Sequence, residues 1–220
     1  MLTSTKAIFL QTIPLNEKRN LVKLFTETDG TLAFAVSGMY RAKKGKKTAF
    51  FQPLSLLEIV FENKEKKSIQ FLKEVRFDYA YVNAGNNIYK ISVLFFLNEV
   101  LITTLREQES NPALFSFLHS ALQYLDISDE NISNFPLLLL LKLSAYMGFA
   151  PGYSSIHNEP ILLPEKLLTL YRCNFTEMNQ ISFTNQERRE ALKNLIDYFK
   201  FHLPGFKEIK SAAILEEVLV

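Results

Sequence analysis

The sequence predicts an α+β protein, with a small five-stranded barrel over residues 1–80 and an all-helical domain over residues 81–220. Three observations carry that expectation. Short runs of alternating apolar and polar residues fill the first part of the chain, the period of half-buried strands. From Ile88 onward the apolar residues recur at i, i+3, i+4 and i+7, the period of amphipathic helices. The polar stretch NAGNN, Asn83 to Asn87, separates the two regimes.

Each strand has its own signal. Thr5 to Ile13, TKAIFLQTI, is an apolar-rich run that Pro14 is expected to end. Leu21 to Thr28 sets Val22 and Leu24 against Lys23 and Phe25, and then turns polar. Asp29-Gly30 follows, a hairpin signal because both turn positions favour positive φ. Thr31 to Met39 puts Leu32, Phe34 and Val36 on one face and the small Ala33 and Ala35 on the other. Phe50 to Glu62 is one long apolar run, and NKEKK, Asn63 to Lys67, is a polar turn. Ser68 to Phe77 alternates again, with Ile69, Phe71 and Val75 assigned to one side. Five short strands are too few for an immunoglobulin-type sandwich. They suit an OB-fold-like Greek-key barrel, with an SH3-like barrel as the competing reading.

The helices follow from caps and periodicity. Ile88, Ile91, Leu94, Phe95, Leu101, Ile102 and Leu105 mark the first. Asn111-Pro112 opens the second, Asn as cap and Pro at the first helical position. Asn134 and Pro136 open a third, with Gly148 as its C-cap. Its Leu137 to Leu143 run reads as a core helix, apolar all round. Pro164 to Tyr171 suggests a short fourth helix. Thr184 and Glu187 stand at capping-box spacing before a fifth that runs to about His202, and Ser211 to Leu219 forms the last.

Composition narrows the chemistry. The 220 residues are 48% hydrophobic and 22% charged, an ordinary globular balance. The single Cys173 excludes an internal disulfide and a Cys-rich zinc site. His119, His157 and His202 are scattered without carboxylates or Cys at ligand spacing, so no metal is expected. With 7 Gly, no phosphate-binding glycine pattern is present. Ser154, Ser155 and His157 do not form a nucleophile elbow. Neither catalytic residues nor a cofactor is expected. The opening residues lack a secretory signal, and the longest apolar run, Phe135 to Leu141, is too short to span a bilayer. The expected location is the cytoplasm.

The charge is asymmetric. Residues 1–80 carry 14 Lys+Arg against 8 Asp+Glu, and residues 81–220 carry 11 against 15. Much of the excess sits in one place, GMYRAKKGKKTAFFQP, Gly38 to Pro53. Arg41, Lys43, Lys44, Lys46 and Lys47 fall within seven residues, and no acidic residue stands between Asp29 and Glu58. Lys64, Lys66 and Lys67 form a flanking cluster, with Lys73 and Arg76 nearby in sequence. Lys-rich loops are usually just solvated. Here the loop joins two barrel strands, contains Gly45, and is bracketed by Tyr40, Phe50 and Phe51. Such charge density suits a phosphate backbone, and aromatic rings suit unpaired bases.

Several stretches resemble the bacterial recombination mediator family RecO. They are AIFLQTIPLNEKRNLVKLFTETDG with its FTE-x-x-G end, SGMYRAKKGKKTAFFQPL, Gly148-Phe149-Ala150-Pro151 after a Leu-rich helix, and HLPGFKEIKSAAIL with its Lys-Ser pair before the last helix. The resemblance covers nearly the whole chain. It implies an OB-fold that binds DNA, a helical domain, binding of single- and double-stranded DNA, and annealing of complementary strands. It also implies partnership with RecR and single-strand-binding protein while recombinase is loaded on single-stranded DNA. Many family members carry a four-cysteine zinc motif after the Gly-x-x-Pro element. Here Gly152 to Thr184 holds only Cys173, so no zinc role is carried over. Apolar packing of Tyr153, Leu162, Leu163, Leu167 and Phe175 is expected to hold that segment instead. An acidic tail ending in an apolar residue, as implied for single-strand-binding protein, needs a cationic receptor. Lys142, Arg172, Arg188, Arg189 and Lys193 are the candidates. The competing reading is a protein–protein adaptor whose helical domain recruits partners and whose basic loop is merely solvated.

Overall fold

The computed structural model describes residues 2–16, 19–37, 48–63, 68–105, 109–129, 131–151 and 163–218. The chain forms two compact units, residues 1–82 with 100–123 and residues 83–99 with 124–220. Among the described residues five strands build the first: β1 (Leu2–Asn16), β2 (Arg19–Thr26), β3 (Gly30–Ser37), β4 (Leu56–Glu62) and β5 (Ile69–Tyr79). They close into a barrel in the order β1-β2-β3-β5-β4. β1 pairs antiparallel with both β2 and β4. A short parallel seam between β3 and β5, Ala33–Ala35 against Ile69–Phe71, completes the circuit. This is the OB-fold order, and the parallel seam distinguishes it from an antiparallel meander.

The barrel interior follows the alternation in the sequence. Val22, Leu24, Phe34, Leu57, Ile59 and Phe61 are fully enclosed. Phe34 and Phe61 meet edge to face, with ring centroids 5.3 Å apart. Burying each such side chain stabilises the fold by roughly 1.5–3 kcal/mol before entropy is counted.

Four local expectations are corrected. Pro14 does not end β1, which pairs with β2 as far as Asn16. Beyond Ile8 the strand no longer pairs with β4, and its ladder to β2 is irregular between Pro14 and Asn16, where a missing N–H is tolerated. At the hairpin only Gly30 has positive φ, 67°. Thr26 pairs with Gly30, so the loop has three residues rather than two, and the Thr26 hydroxyl accepts from the Asp29 N–H at 3.1 Å. The run Phe50 to Glu62 is not one strand. Thr48–Phe50 is a 3₁₀ turn, buried Leu54 adopts φ 57°, and β4 begins only at Leu56. Finally, β5 keeps Ile69 and Phe71 together on its outer face and buries Gln70, but turns Val75 onto the barrel core. Its register with β4 shifts between Val60 and Phe61, which breaks strict alternation.

Among the described residues six helices follow: α1 (Ile88–Thr104), α2 (Pro112–Ile127), α3 (Phe135–Tyr146), α4 (Glu165–Arg172), α5 (Asn185–His202) and α6 (Ser211–Val218). α1 and α2 each contribute residues to both units. Within the barrel unit, Phe115 packs on Phe25 at 5.8 Å, and the Thr31 hydroxyl donates to the Leu105 carbonyl just beyond α1. Asn111 caps α2 as expected, its Oδ1 accepting from the Leu114 N–H at 3.0 Å.

In the helical unit, α3 is the expected core helix, with Phe135 through Leu141 all buried, and it packs against α4 and α5. Gly148 closes it at φ 88°. The N–H groups of Gly148 and Phe149 return to the carbonyls of Ala145 and Ser144, which is a Schellman motif. Asn134 makes no cap bond; its amide instead donates to the carbonyls of Met178 and Ile181. Leu163 and Leu167 are buried, and Phe175 stacks with Tyr124 and Phe135. Tyr153 and Leu162 lie outside the described residues. Buried Lys90 donates to the carbonyls of Asp126 and Ser128 at the end of α2. The Asp126 carboxylate accepts from the Asn83 and Ala84 N–H groups. Among the described residues, no helix is long and apolar enough to cross a membrane, and no three His, Cys, Asp or Glu side chains cluster to hold a metal ion.

Candidate nucleic-acid interface

The outward residues of β1, β2, β3 and β5 form rows across the barrel. One row runs Ile13, Leu21, Ala35, Phe71, each paired with the next in register. Beside it run Gln11, Lys23, Ala33 and Ile69. Arg19 pairs with Ser37 at the end of the same face. The two alanines at its centre keep the surface low, because the strand period sends their bulky neighbours Phe34 and Val36 into the core. The result is a shallow, largely apolar face that carries Lys23 and Arg19 among the described residues.

Next to it, β3 and β5 part where their pairing ends after Ala35 and Phe71. The gap is a half-open groove of about 580 Å³. Ala35 and Ser37 line one side, Phe71 and Lys73 the other, and Phe50 and Phe51 also line it. Phe51 is buried beside Phe9, while half-buried Phe50 lies 4.7 Å from Phe77, itself 39% exposed.

The described cations of the barrel strands divide into two sets. Arg76 grips the Glu58 carboxylate, with Nη2 at 2.6 Å and Nε at 3.0 Å. Lys73 stands 3.8 Å from Glu62. Lys6 and His119 share Asp78, at 3.0 and 2.6 Å. Partial burial pushes the Asp78 carboxyl up, but the hydrogen bonds from Lys6 and His119 outweigh it and hold it below the usual range. Lys23 and Arg19 form no ion pair with any described carboxylate.

The expected phosphate contacts Arg41, Lys43, Lys44, Lys46 and Lys47, and the flanking Lys64, Lys66 and Lys67, lie outside the described residues. Their chain neighbours do not. Ser37 precedes the first segment and Phe50 and Phe51 follow it, and all three line the groove. The second segment joins β4 to β5, the strand that carries Phe71 and Lys73.

The five candidates in the helical unit have different roles. Half-buried Lys142 places Nζ 5.0 Å from the centre of the Tyr171 ring. Burial lowers its pKa, partly opposed by Cys173 and Glu177. Arg188 donates to the Phe183 carbonyl at 2.9 Å and to Asn185 at 3.0 Å. Arg189 donates to the Glu216 carbonyl at 3.1 Å. Arg172 and Lys193 are exposed. Lys193 shares a face of α5 with Arg189, four residues away.

Arg19, Lys23 and Phe71 are not among the candidates the sequence offers. The first two were legible, because R-N-L-V-K alternates Arg19, Leu21 and Lys23 against buried Asn20, Val22 and Leu24. The sequence groups Phe71 with Ile69 and Val75; Ile69 and Phe71 share the outer face, and the register shift beyond them turns Val75 inward.

Strand order and the outer face on β2 and β3 define an OB-fold, a fold whose corresponding face is a common site for oligonucleotides. The comparisons narrow that class: the chain belongs to the RecO family. Residues 1–81 match the model described as Recombination protein O N terminal, and residues 85–158 match Recombination protein O C terminal. The chain is 35% identical to the DNA repair protein RecO of Flavobacterium psychrophilum and 34% identical to that of Flavobacterium johnsoniae, over 99% of each chain in both cases. It is 31% identical to the RecO of Azobacteroides pseudotrichonymphae over the same share.

Proposed function

We infer that this protein is a non-enzymatic mediator of recombinational DNA repair that holds DNA on the outer face of its barrel and anneals complementary strands. The observation that carries the reading is the low apolar face with unpaired Lys23 and Arg19, bordered by the ends of a segment with five cations. Family membership and the relatives' names support the repair role. Arg41, Lys43, Lys44, Lys46 and Lys47 neutralise phosphates, with Lys64, Lys66 and Lys67 extending the track. Annealing then needs no covalent step. Lowering the repulsion between two strands, while their base edges stay free, suffices.

The resemblance extends the reading to partners: RecR, single-strand-binding protein, and a recombinase loaded on single-stranded DNA. The helical unit supplies the receptor for an acidic tail. Arg172 and Lys193 are its free exposed cations, whereas Arg188 and Arg189 also hold backbone carbonyls. Charge reversal at Arg172 and Lys193 is therefore the clean test of tail-peptide affinity.

The reading as a whole is tested by anisotropy of labelled single strands and duplexes at low salt, with annealing followed by energy transfer between complementary strands. Binding of both DNAs and faster annealing are expected. Absence of binding even at low salt would favour the adaptor reading.

A further inference from the structure

We propose that α6 is a built-in competitor for the acidic-peptide receptor of the helical unit: docked against α5, it engages Arg189 until a partner's tail displaces it. The proposal rests on the receptor reading above and adds its regulation.

Two side chains hold this helix, one at each end. At its start the Glu99 carboxylate of α1 takes the N–H groups of Lys210 and Ser211 at 3.0 and 2.9 Å. At its other end Arg189 Nε of α5 donates to the Glu216 carbonyl at 3.1 Å. That carbonyl is among the last four of the helix, which have no partner within it. An anion at the first turn and a cation at the last both complement the helix dipole. Between the anchors Leu215 is fully enclosed, and Ile209 and Ala212 are buried. The opposite face is open, with Ala213, Ile214 and Glu217 exposed.

This strap is made to be all or nothing. It has 8 residues, and an isolated helix shorter than about 12–15 residues is marginal in water. It is therefore helical while docked and unstructured once released.

Its composition is that of the ligand it would exclude. Ile214-Leu215-Glu216-Glu217-Val218 sets two acids among apolar residues, the same pairing as an acidic tail with an apolar end. Arg189 and Lys193 stand one turn apart on α5, and neither forms an ion pair with a described carboxylate. The α6 backbone occupies one N–H of Arg189 with a neutral carbonyl and leaves the charge uncancelled. A carboxylate brings a stronger, charge-assisted bond to the same guanidinium, which is what lets a tail compete.

The test is the binding of a fluorescein-labelled peptide, four aspartates followed by two leucines, measured by anisotropy. Two variants loosen α6 without removing a cation. One is Glu99→Gln. The other combines Ala213→Gly and Ile214→Gly on the exposed face, where glycine lowers helix propensity. Each should bind the peptide about fivefold tighter than the unaltered chain, because a larger fraction of molecules has the strap open. The peptide should also speed hydrogen exchange of the α6 amides in the unaltered chain while α3 stays protected. Equal affinity for all three proteins, or α6 exchange that is unchanged or slowed by the peptide, would overturn the competition and leave the receptor standing. Absence of peptide binding to any of the three would overturn the receptor reading, and the competition with it.

Discussion

The Glu99 carboxylate gathers the first N–H groups of α6: it accepts from the Lys210 N–H at 3.0 Å, from the Ser211 N–H at 2.9 Å, and from the Ser211 hydroxyl. The Lys-Ser pair that helped mark the family resemblance thus has a structural reason. Those two residues present donors to an acid 111 and 112 positions earlier in the chain. A carboxylate at a helix N-terminus satisfies orphan donors and meets the positive end of the dipole. Partial burial pushes the Glu99 pKa up, but the Ser211 and Lys210 bonds hold it below the usual range. Glu99→Gln should cost about 1–2 kcal/mol in urea unfolding, since a charge-assisted bond becomes a neutral one. Ser211→Ala, which removes one of the three donors, should cost less. Equal stability of Glu99→Gln and the unaltered chain would refute the anchor.

Acid should weaken the helical unit through Glu187. This side chain completes the capping box with Thr184 and takes Lys166 Nζ at 2.7 Å. The Lys166 bond and the Thr184 backbone N–H lower its pKa from 4.5 to about 2. A depressed carboxyl stabilises the fold fully above the unfolded value and loses that contribution as pH falls through the folded one. Stability should therefore decline between about pH 4.5 and pH 2. Glu187→Gln should flatten the decline in that window. A pH profile that the substitution leaves unchanged would remove Glu187 from the account.

Gly148 gives a test of backbone conformation alone. A Cβ there meets nothing within 4 Å, yet φ is 88°. Gly148→Ala should cost about 1 kcal/mol through the left-handed conformation and not through crowding. Gly148→Asn should recover part of it. Thermal melts of the two variants decide the point, and an Ala variant as stable as the unaltered chain would contradict it.

Local signals made most of the architecture legible. Alternation gave Val22, Leu24, Phe34 and Val36 as core, and the capping box placed Thr184 and Glu187 correctly. Failures arose where tertiary pairing overrides local rules. Pro14 stays in its strand because the ladder is irregular there, and Leu54 takes a left-handed φ while fully buried. Nothing in the sequence marks Lys90 as a buried donor to the end of α2, since that depends on two carbonyls far along the chain. The interface shows the same division. Arg19 and Lys23 lie in a readable period-2 pattern, but the groove requires the three-pair seam and the register shift of β5.

The central claim, that cations of the barrel unit hold a phosphate backbone, is tested most directly by single-strand affinity as a function of salt. The comparison is between the unaltered chain and a variant with Arg41, Lys43, Lys44, Lys46 and Lys47 all changed to Gln. Each phosphate contact contributes roughly 0.7 to the slope of log affinity against log salt, so the variant should lose about three units of slope. Affinity should fall alike for every sequence, and the melting temperature should barely move. An unchanged slope in a folded variant, or a loss confined to particular sequences, would contradict the account.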